Sequence, residues 1–208
     1  RWLENNFNLL KVESEKTSSY LKLKKLETNI VGTYVYVRFY FDTQEAMGMN
    51  MATIAAEKIS QFIQKNIDVK CLAVSGNFCI DKKPAWLNFV AGRGKKVSVE
   101  VILKKEVVKE ILKTTPEKFF EVWLAKCMIG SAMSGSLGFN AHFANIVAAF
   151  YAATGQDLAH VVEVSIGMTI SKVLKNGDLY VSVYLPAVMI GSVGGGTKLK
   201  TKQEALSI

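Results

Sequence analysis

Two lysines and an aspartate lie together in residues 75–84 (SGNFCIDKKP), directly after an apolar run at 69–74. Gly76 and Pro84 disfavour a helix or a continuous strand here, so we expect a loop at the end of a strand. Polar groups on such a loop can converge on an anionic substrate that carries a carbonyl group. The alternative is a solvated turn without a function, which is the commoner case for an isolated Asp-Lys-Lys.

A second candidate segment is residues 45–51 (EAMGMNM), where a predicted strand leads into a predicted helix. The free N–H groups and the dipole at a helix N-terminus favour the phosphates of a dinucleotide, and Gly48 lets a ligand approach the backbone. The alternative is that Met47, Met49 and Met51 only fill a core, as methionines often do.

A third candidate is the glycine run in residues 191–197 (GSVGGGT), which follows a predicted strand. Consecutive glycines permit positive φ angles and a close approach of a ligand to the backbone. This pattern is compatible with a cofactor site. A plain flexible loop is the alternative.

Together these segments resemble the 3-hydroxy-3-methylglutaryl-coenzyme A reductases, and the similarity is greater to the NADPH-using eukaryotic and archaeal class than to the NADH-using bacterial class. The resemblance implies reduction of a coenzyme A thioester to mevalonate by two hydride transfers from NADPH. It also implies a homodimer or homotetramer with active sites between subunits. Three further blocks follow the family's order along the chain: 26–32 (LETNIVG), 130–142 (GSAMSGSLGFNAH) and 155–157 (GQD).

The resemblance assigns catalytic roles to Lys82 and Asp157. An ammonium near the thioester oxygen stabilises the negative charge that develops as hydride arrives, and a neighbouring carboxylate keeps that ammonium protonated. For the lysines the alternative is a free surface ammonium, and for His142 it is a hydrogen-bonded core residue. His160 matches no motif and receives no role. The substrate-binding positions implied by the resemblance are Ser75, Asn77, Asp81, Lys83, Lys126, Asn145 and His142.

The resemblance also implies a set of NADPH contacts in three segments. Glu45 stands where the family usually has aspartate, and Ser19 stands where many relatives have an arginine that assists binding of the 2′-phosphate. A basic neighbour of Ser19 (Lys22, Lys24 or Lys25) can take that role. The implied contacts are Ser18, Ser19, Tyr20, Glu45, Met47, Gly48, Met49, Asn50, Met51, Val193, Gly194 and Gly195.

Two motifs of the family have no counterpart in this chain. They are an upstream glutamate in a Glu-Asn-Val-Ile-Gly segment and a C-terminal histidine that protonates the departing thiolate. We therefore expect the 208 residues to be part of a longer enzyme and to be inactive alone. The rival hypothesis is a truncated, catalytically inactive relative that binds only nucleotide or a partner subunit. A third is an unrelated basic α/β module that binds nucleic acid.

The amino-acid composition narrows the functional classes named above. The formal net charge of +8 suits phosphorylated ligands, but the lysines are dispersed and form no basic-aromatic surface, so we expect no nucleic acid partner. Three cysteines without CxxC spacing and only two histidines favour a reducing, cytoplasmic location and no metal site. No apolar run approaches the roughly 20 residues of a membrane span, and no signal peptide opens the chain, so we expect no membrane contact in this segment.

The elements that must position these residues indicate a mixed α/β (α+β) fold. Alternation at 31–41 predicts a strand, the apolar face of 46–66 predicts a helix, and 69–74 predicts a second strand. This order suggests a small ferredoxin-like domain, which the resemblance also implies for the cofactor domain.

Downstream we expect part of a larger mixed substrate domain, reached through a catalytic loop. The predicted division is a cofactor domain at 1–73, a connecting loop at 74–85 and a substrate and dimerisation domain at 86–208. In this last part the patterns predict strands at 96–103, 178–186 and 188–192, and helices at 106–112, 116–129 and 141–153.

Overall fold

A computed structural model describes all residues, Arg1 to Ile208, as two compact units. Unit 1 comprises residues 1–79 with 191–194, and unit 2 comprises 80–190 with 195–208. Helices and antiparallel sheets occur in the chain, so the predicted mixed α/β class is confirmed. The three-part division of the chain at residues 73 and 85 stays a prediction.

Unit 1 is a β-hairpin covered by helices. Its elements are α1 (Trp2–Asn5), α2 (Phe7–Glu15), β1 (Lys22–Val31), β2 (Tyr34–Asp42) and α3 (Met49–Asn66). The two strands pair antiparallel. Leu10 of α2, Leu23 of β1 and Ile59 of α3 are fully buried against one another, and aromatic side chains pack around them. Burial of such side chains stabilises the unit by about 1.5–3 kcal/mol each.

The sequence patterns described unit 1 incompletely. The alternating stretch 31–41 spans the end of β1, a turn at Gly32 and β2, and the two N-terminal helices were not predicted. The predicted strand at 69–74 is wrong, because no strand pairs with it. Its apolar side chains stay exposed, with Leu72 70% accessible. Apolar composition alone therefore does not produce a strand; a neighbouring strand must also be present to pair with it.

Unit 2 is built on a three-stranded antiparallel sheet of order β3-β5-β4. A π-helix, Leu124–Gly130, continues directly from α6 into α7, and two 3₁₀ turns, Leu158–His160 and Gly195–Lys198, precede α9 and α10. The strands and helices are β3 (Lys95–Leu103), β4 (Met168–Val173), β5 (Leu179–Val188), α4 (Trp86–Ala91), α5 (Lys105–Glu110), α6 (Pro116–Trp123), α7 (Ser131–Met133), α8 (Phe143–Thr154), α9 (Val161–Val164) and α10 (Lys200–Leu206).

The core of unit 2 lies where α8 and α9 pack together and meet β5. Val147 and Tyr151 of α8 and Val164 of α9 are buried together, with Leu185 of β5 packed against them. The Tyr151 hydroxyl donates a hydrogen bond of 2.7 Å to the carbonyl oxygen of Met189. This packing fixes the segment between α8 and α9, which carries Asp157.

In unit 2 most predicted elements are confirmed, one is divided in two and one is wrong. The predicted strand 96–103 and helices 106–112 and 141–153 correspond to β3, α5 and α8. The predicted helix 116–129 divides into α6 and the π-helix. The predicted strand 188–192 is wrong, because β5 ends at Val188. Ser192 already belongs to unit 1, where its backbone N–H donates to the carbonyl oxygen of Glu45. Strand β4 was not predicted.

Two further features concern the whole chain: the length and hydropathy of its helices, and its cysteines. None of its helices is both long enough and apolar enough to cross a membrane. Cys71, Cys79 and Cys127 are free thiols.

Candidate active site

The centre of the candidate site in unit 2 is an ion pair between the two predicted catalytic residues. Lys82 Nζ lies 2.8 Å from Asp157 Oδ2, and both side chains are partly exposed. The hydrogen bond that the Lys82 ammonium donates to Asp157 raises the pKa of Lys82 above its ordinary value of 10.5. The same bond lowers the pKa of Asp157 below its ordinary value of 3.8. Both groups are therefore ionised over the neutral pH range.

The backbone that carries Lys82 adopts an unusual conformation. Ile80 and Lys82 have φ angles of +58° and +53°, in the left-handed region. Each such residue costs on the order of 1–3 kcal/mol and persists only where its surroundings hold it. One clamp is Asn88, which is fully buried and donates from Nδ2 to the carbonyl oxygens of Ile80 (3.2 Å) and Lys83 (2.9 Å).

A buried network of charged groups lies behind the ion pair. The Arg93 guanidinium pairs with Asp81 Oδ1 at 2.6 Å and with Glu163 Oε1 at 3.1 Å. His160 Nδ1 lies 2.6 Å from the same Glu163 oxygen. Because an ionised carboxylate only accepts hydrogen bonds, Nδ1 carries the proton and donates it. Glu163 and His160 are fully buried.

Local sequence explains how Arg93 reaches these carboxylates. Its backbone N–H donates to the carbonyl oxygen of Pro186 on β5 (3.2 Å). At Gly94 (φ +67°) an added Cβ would lie 2.5 Å from the carbonyl oxygen of Val188. Only glycine therefore allows the chain to run this close to β5, and this path places the Arg93 side chain beside the loop at 80–83.

Three members of this network have the chemistry of metal ligands. Asp81, His160 and Glu163 offer ligand atoms within 4.8 Å of one another. The Arg93 guanidinium already pairs with both carboxylates. A second cation at this place would be repelled by that guanidinium, so the arrangement favours an internal ion network over a metal centre.

A surface cleft of about 370 Å³ lies in unit 2 and begins at Pro84, directly after the two lysines. Pro84, His142 and Asn145 line it, and Asn145 Nδ2 lies 3.3 Å from His142 Nδ1. His142 is exposed, so it is not the buried core residue that was its alternative. The other residues that line the cleft are Ser136, Leu137, Gly138, Asn140, Ala144, Val162, Ser165 and Ile166.

The remaining predicted substrate residues have different positions. Lys83 Nζ donates to the carbonyl oxygen of Asp81 (2.7 Å) within the loop at 80–83. Lys126 lies exposed on the π-helix and is not among the residues that line the cleft. Ser75 and Asn77 are exposed residues of unit 1; the Ser75 hydroxyl lies 3.2 Å from the Cys79 thiol, and Asn77 has φ +62°.

In unit 1 the structure brings together parts of all three segments predicted to bind the cofactor. Glu45 accepts hydrogen bonds from Ser192, at its carbonyl oxygen from the backbone N–H (2.9 Å) and at Oε2 from the hydroxyl (3.2 Å). Ala46 and Val193 form a parallel bridge. The Ser18 hydroxyl lies 3.4 Å from Met51 Sδ, at the start of α3. Residues 18, 45–51 and 192–194 thus form one corner of unit 1, which we call the glycine corner.

The glycine corner contains an open helix N-terminus and one exposed glycine. No side chain caps α3, whose N-cap residue is Gly48. At Gly48 (φ +88°) an added Cβ would lie 2.3 Å from the Thr43 side chain, so the fold itself requires this glycine. At Gly194 (φ +87°) an added Cβ would meet nothing within 4 Å. Gly195 belongs to unit 2 and opens a 3₁₀ turn.

The basic residues near Ser19 and Tyr20 are all paired with acids. Lys22 contacts Glu15 at 3.3 Å, and the other two pairs are Lys24–Asp42 (3.3 Å) and Lys25–Glu27 (2.6 Å). Such surface pairs contribute only about 0–1 kcal/mol. A phosphate can therefore compete for any of these lysines at low cost.

A comparison with known protein families shows to which family the chain belongs. The family described as "Hydroxymethylglutaryl-coenzyme A reductase" matches residues 1–208, the whole chain. This chain belongs to that family. The match agrees with the resemblance carried by the sequence blocks.

Relatives named 3-hydroxy-3-methylglutaryl-coenzyme A reductase give the same result. The chain is 50% identical to the one from Pyrococcus abyssi, over 100% of this chain and 51% of the relative. It is 49% identical to the one from Methanothermobacter thermautotrophicus, over 100% of this chain and 52% of the relative. The chain is 42% identical to 3-hydroxy-3-methylglutaryl-coenzyme A reductase 1 from Hevea brasiliensis, over 98% of this chain and 36% of the relative. The chain thus spans about half the length of the archaeal relatives.

A solved structure supports the fold. The class II 3-hydroxy-3-methylglutaryl-CoA reductase from Streptococcus pneumoniae, bound to NADPH in open conformations, superposes with a TM-score of 0.69. The alignment covers 98% of this chain and 57% of that one, at 15% identity. At this identity the likeness concerns the fold of the reductase family and not individual side chains.

Sequence reasoning missed four residues of the site in unit 2. Asn88, Arg93 and Glu163 were not singled out, and His160 was given no role. One signal was present: Asp157, His160 and Glu163 recur at intervals of three, which places them on one face of a helical segment. The buried partners across the unit were not visible in the sequence.

Proposed function

We propose that the whole protein reduces 3-hydroxy-3-methylglutaryl-coenzyme A to mevalonate and free coenzyme A, with NADPH as the reductant, in isoprenoid precursor biosynthesis. The observation that carries the proposal is the 2.8 Å ion pair between Lys82 and Asp157. These are the two positions to which the reductase motifs assign catalysis, and they come from segments 75 residues apart in the chain.

The chemistry follows from the charges of this pair. Each reduction places negative charge on a carbonyl oxygen, and the Lys82 ammonium is held in the protonated form by Asp157 and so stabilises that charge. When bound, NADPH supplies the hydride. Asp157 also fixes the direction of the ammonium, which avoids reorganisation during the reaction.

Substrate binding is proposed at the cleft and the catalytic loop. His142 and Asn145 line the cleft, where their polar atoms can hydrogen-bond a carbonyl or hydroxyl group. Lys83 is one residue from Lys82 and suits the terminal carboxylate of the substrate through a charge-assisted hydrogen bond. The further proposed contacts, which rest on the family motifs, are Ser75, Asn77, Asp81 and Lys126.

NADPH binding is proposed at the glycine corner. The residues there suit a dinucleotide, because α3 has an uncapped N-terminus that favours phosphate and Gly194 leaves open space in front of the backbone. Ser18, Glu45, Met51 and Val193 lie in or beside this corner. The other proposed contacts are Ser19, Tyr20, Met47, Gly48, Met49, Asn50, Gly194 and Gly195.

We also propose a homodimer or homotetramer in the cytoplasm. The family resemblance supports shared active sites, and the edge strand β3 exposes Val99, Val101 and Ile102, which is apolar area of the kind that interfaces cover. Three free thiols are compatible with a reducing compartment.

The test is turnover by the whole protein. NADPH oxidation that depends on hydroxymethylglutaryl-coenzyme A, with release of a free thiol and formation of mevalonate, is the expected result. Binding of NADPH without turnover would instead favour the inactive relative that binds only nucleotide or a partner subunit. Oxidation of NADPH without the thioester would contradict the proposed substrate.

A further inference from the structure

Lys82 is held in place by more than its partner Asp157. Its φ of +53° is a conformation that residues with a Cβ adopt at a cost on the order of 1–2 kcal/mol. The preceding β-branched residue Ile80 is also left-handed, at +58°. Two strained residues so close together require contacts that hold the backbone from outside the loop.

Glu163 supplies such a contact. Its Oε1 lies 3.3 Å from the backbone nitrogen of Lys82, which donates to it, and the same oxygen accepts from His160 and Arg93. Glu163 is fully buried, so these bonds are not exchanged with water. A buried carboxylate with three donors is a strong and directional anchor.

The location of Glu163 in the chain gives this contact its significance. Asp157, which binds the Lys82 side chain, is the N-cap of the 3₁₀ turn Leu158–His160. Glu163, which binds the Lys82 backbone, lies in α9, which follows that turn directly. His160 lies between them, with Nε2 3.7 Å from Asp157 Oδ2 and Nδ1 2.6 Å from Glu163 Oε1. One continuous segment, residues 157–163, thus contacts both the backbone and the ammonium group of Lys82.

We propose that Glu163 is a positioning residue for Lys82, which holds the lysine backbone while Asp157 holds its ammonium group. Arg93 completes the hold, because its guanidinium joins Glu163 to Asp81, the residue before Lys82. This inference rests on the proposed role of Lys82 in reduction. In this role Glu163 does not contact the substrate.

The first arm of the test uses Glu163→Gln in the whole protein. Glutamine keeps the size of the side chain but removes the charge that holds Arg93 and His160. We expect kcat to fall by about 10- to 100-fold, with the KM values for NADPH and for the thioester changed by less than about threefold. A rise in the thioester KM at unchanged kcat would overturn the proposal.

The matched control is Asp178→Asn. Asp178 is also buried and also binds a lysine side chain (Lys104, 2.8 Å) and a backbone N–H (Lys105, 3.2 Å), but it lies in the turn between β4 and β5. We expect it to lower thermal stability while kcat stays within about twofold. An equal loss of kcat in both variants would mean that Glu163 acts only through stability.

The second arm does not depend on turnover. Amide hydrogen exchange of the peptide that spans residues 80–84 is expected to be at least about tenfold faster in Glu163→Gln than in wild type, and unchanged in Asp178→Asn. Unchanged exchange in Glu163→Gln would overturn the proposal. If the wild-type protein shows no turnover, the proposed function fails, and this measurement alone decides the positioning claim.

A second variant covers the case in which Glu163→Gln does not fold. Glu163→Asp retains the charge that binds Arg93 but is one methylene shorter, so its carboxylate moves away from the Lys82 N–H. The same loss of kcat and the same faster exchange at residues 80–84 are expected. Wild-type values for both measurements would contradict the proposal.

Discussion

The loop at residues 80–83 of unit 2 and the glycine corner of unit 1 are built in opposite ways. In the loop, side chains hold the backbone: Asn88 and Glu163 bind main-chain atoms, and Asp157 binds the lysine ammonium. In the glycine corner the backbone holds itself, through the bridge from Ala46 to Val193 and the hydrogen bond from Ser192 to Glu45. Substitutions that remove a charge should therefore impair the function of the first region, and substitutions that add a Cβ to a glycine should impair that of the second.

The largest expected effect comes from Lys82→Ala in the whole protein. Loss of one group that stabilises an oxyanion lowers kcat by at least about a hundredfold, while the Kd for NADPH should stay near the wild-type value because the glycine corner is unchanged. Steady-state kinetics and a binding titration with NADPH measure the two quantities. Near-normal turnover would remove Lys82 from the mechanism. The matched control is Lys104→Ala, which breaks a lysine–aspartate pair of the same 2.8 Å length.

Asp157→Asn should have the next largest effect, and it should depend on pH. We expect kcat to fall roughly 10- to 100-fold, because the neutral asparagine accepts only a weaker hydrogen bond from Lys82 and supplies no negative charge that favours its protonated form. Asp157 raises the pKa of Lys82 above 10.5, so its removal lowers that pKa and moves the alkaline limb of the kcat/KM profile to lower pH. A limb that stays in place would mean that a group other than Lys82 controls it.

The ion pair between Lys82 and Asp157 also predicts how the stability of the folded state depends on pH. The lowered pKa of Asp157 and the raised pKa of Lys82 mean that the pair stabilises the folded state between about pH 4 and pH 10. The contribution is lost as the pH falls through the lowered pKa of Asp157, and as it rises through the raised pKa of Lys82. Thermal unfolding of wild type and Asp157→Asn across pH should therefore converge at both extremes. A constant difference would contradict the ion pair.

Gly194→Ala tests the glycine corner with a smaller expected effect. The added Cβ meets no protein atom within 4 Å, but it would occupy the space proposed for NADPH, so the KM for NADPH should rise about five- to tenfold. Gly32→Ala is the matched control, since Gly32 also has a positive φ (+59°) and open surroundings. Equal effects of the two changes on the KM would argue against cofactor binding at Gly194. Gly48→Val is a poor test of the same point, because its side chain would collide with Thr43.

The smallest expected effect concerns the choice between NADPH and NADH. If Lys22 leaves Glu15 to bind the 2′-phosphate, Lys22→Ala should weaken NADPH relative to NADH by about two- to fivefold. Lys65→Ala, in the last turn of α3, is the control and should leave the ratio unchanged. The ratio of kcat/KM values for the two cofactors measures the effect. An unchanged ratio in Lys22→Ala would point to Lys24 or Lys25.

Much of the candidate site was predictable because its residues lie in short contiguous motifs. The loop at 75–84 and the segment at 45–51 combine residue types that fix a local conformation, such as glycine, proline and adjacent charges. Helices α3, α5 and α8 also followed from periodicity, because an amphipathic or apolar run reports its own burial. Family membership followed from the order of such motifs along the chain.

The errors occurred where pairing between distant segments decides the outcome. Residues 69–74 have strand composition but no partner strand, and residues 188–192 form no strand, because β5 ends at Val188 and Ser192 bonds to Glu45 within unit 1. Strand pairing depends on what lies alongside, which β-propensity does not describe.

By itself the sequence determined the reductase motifs and the mixed α/β class, and it predicted Lys82 and Asp157 as the catalytic pair. Only the tertiary structure decided how that pair is held. Glu163, Arg93 and Asn88 act on Lys82 and its neighbours from positions 5 to 81 residues away in the chain. The physical reason is that a buried charge is tolerable only when donors converge on it from several elements, and that convergence exists only after packing.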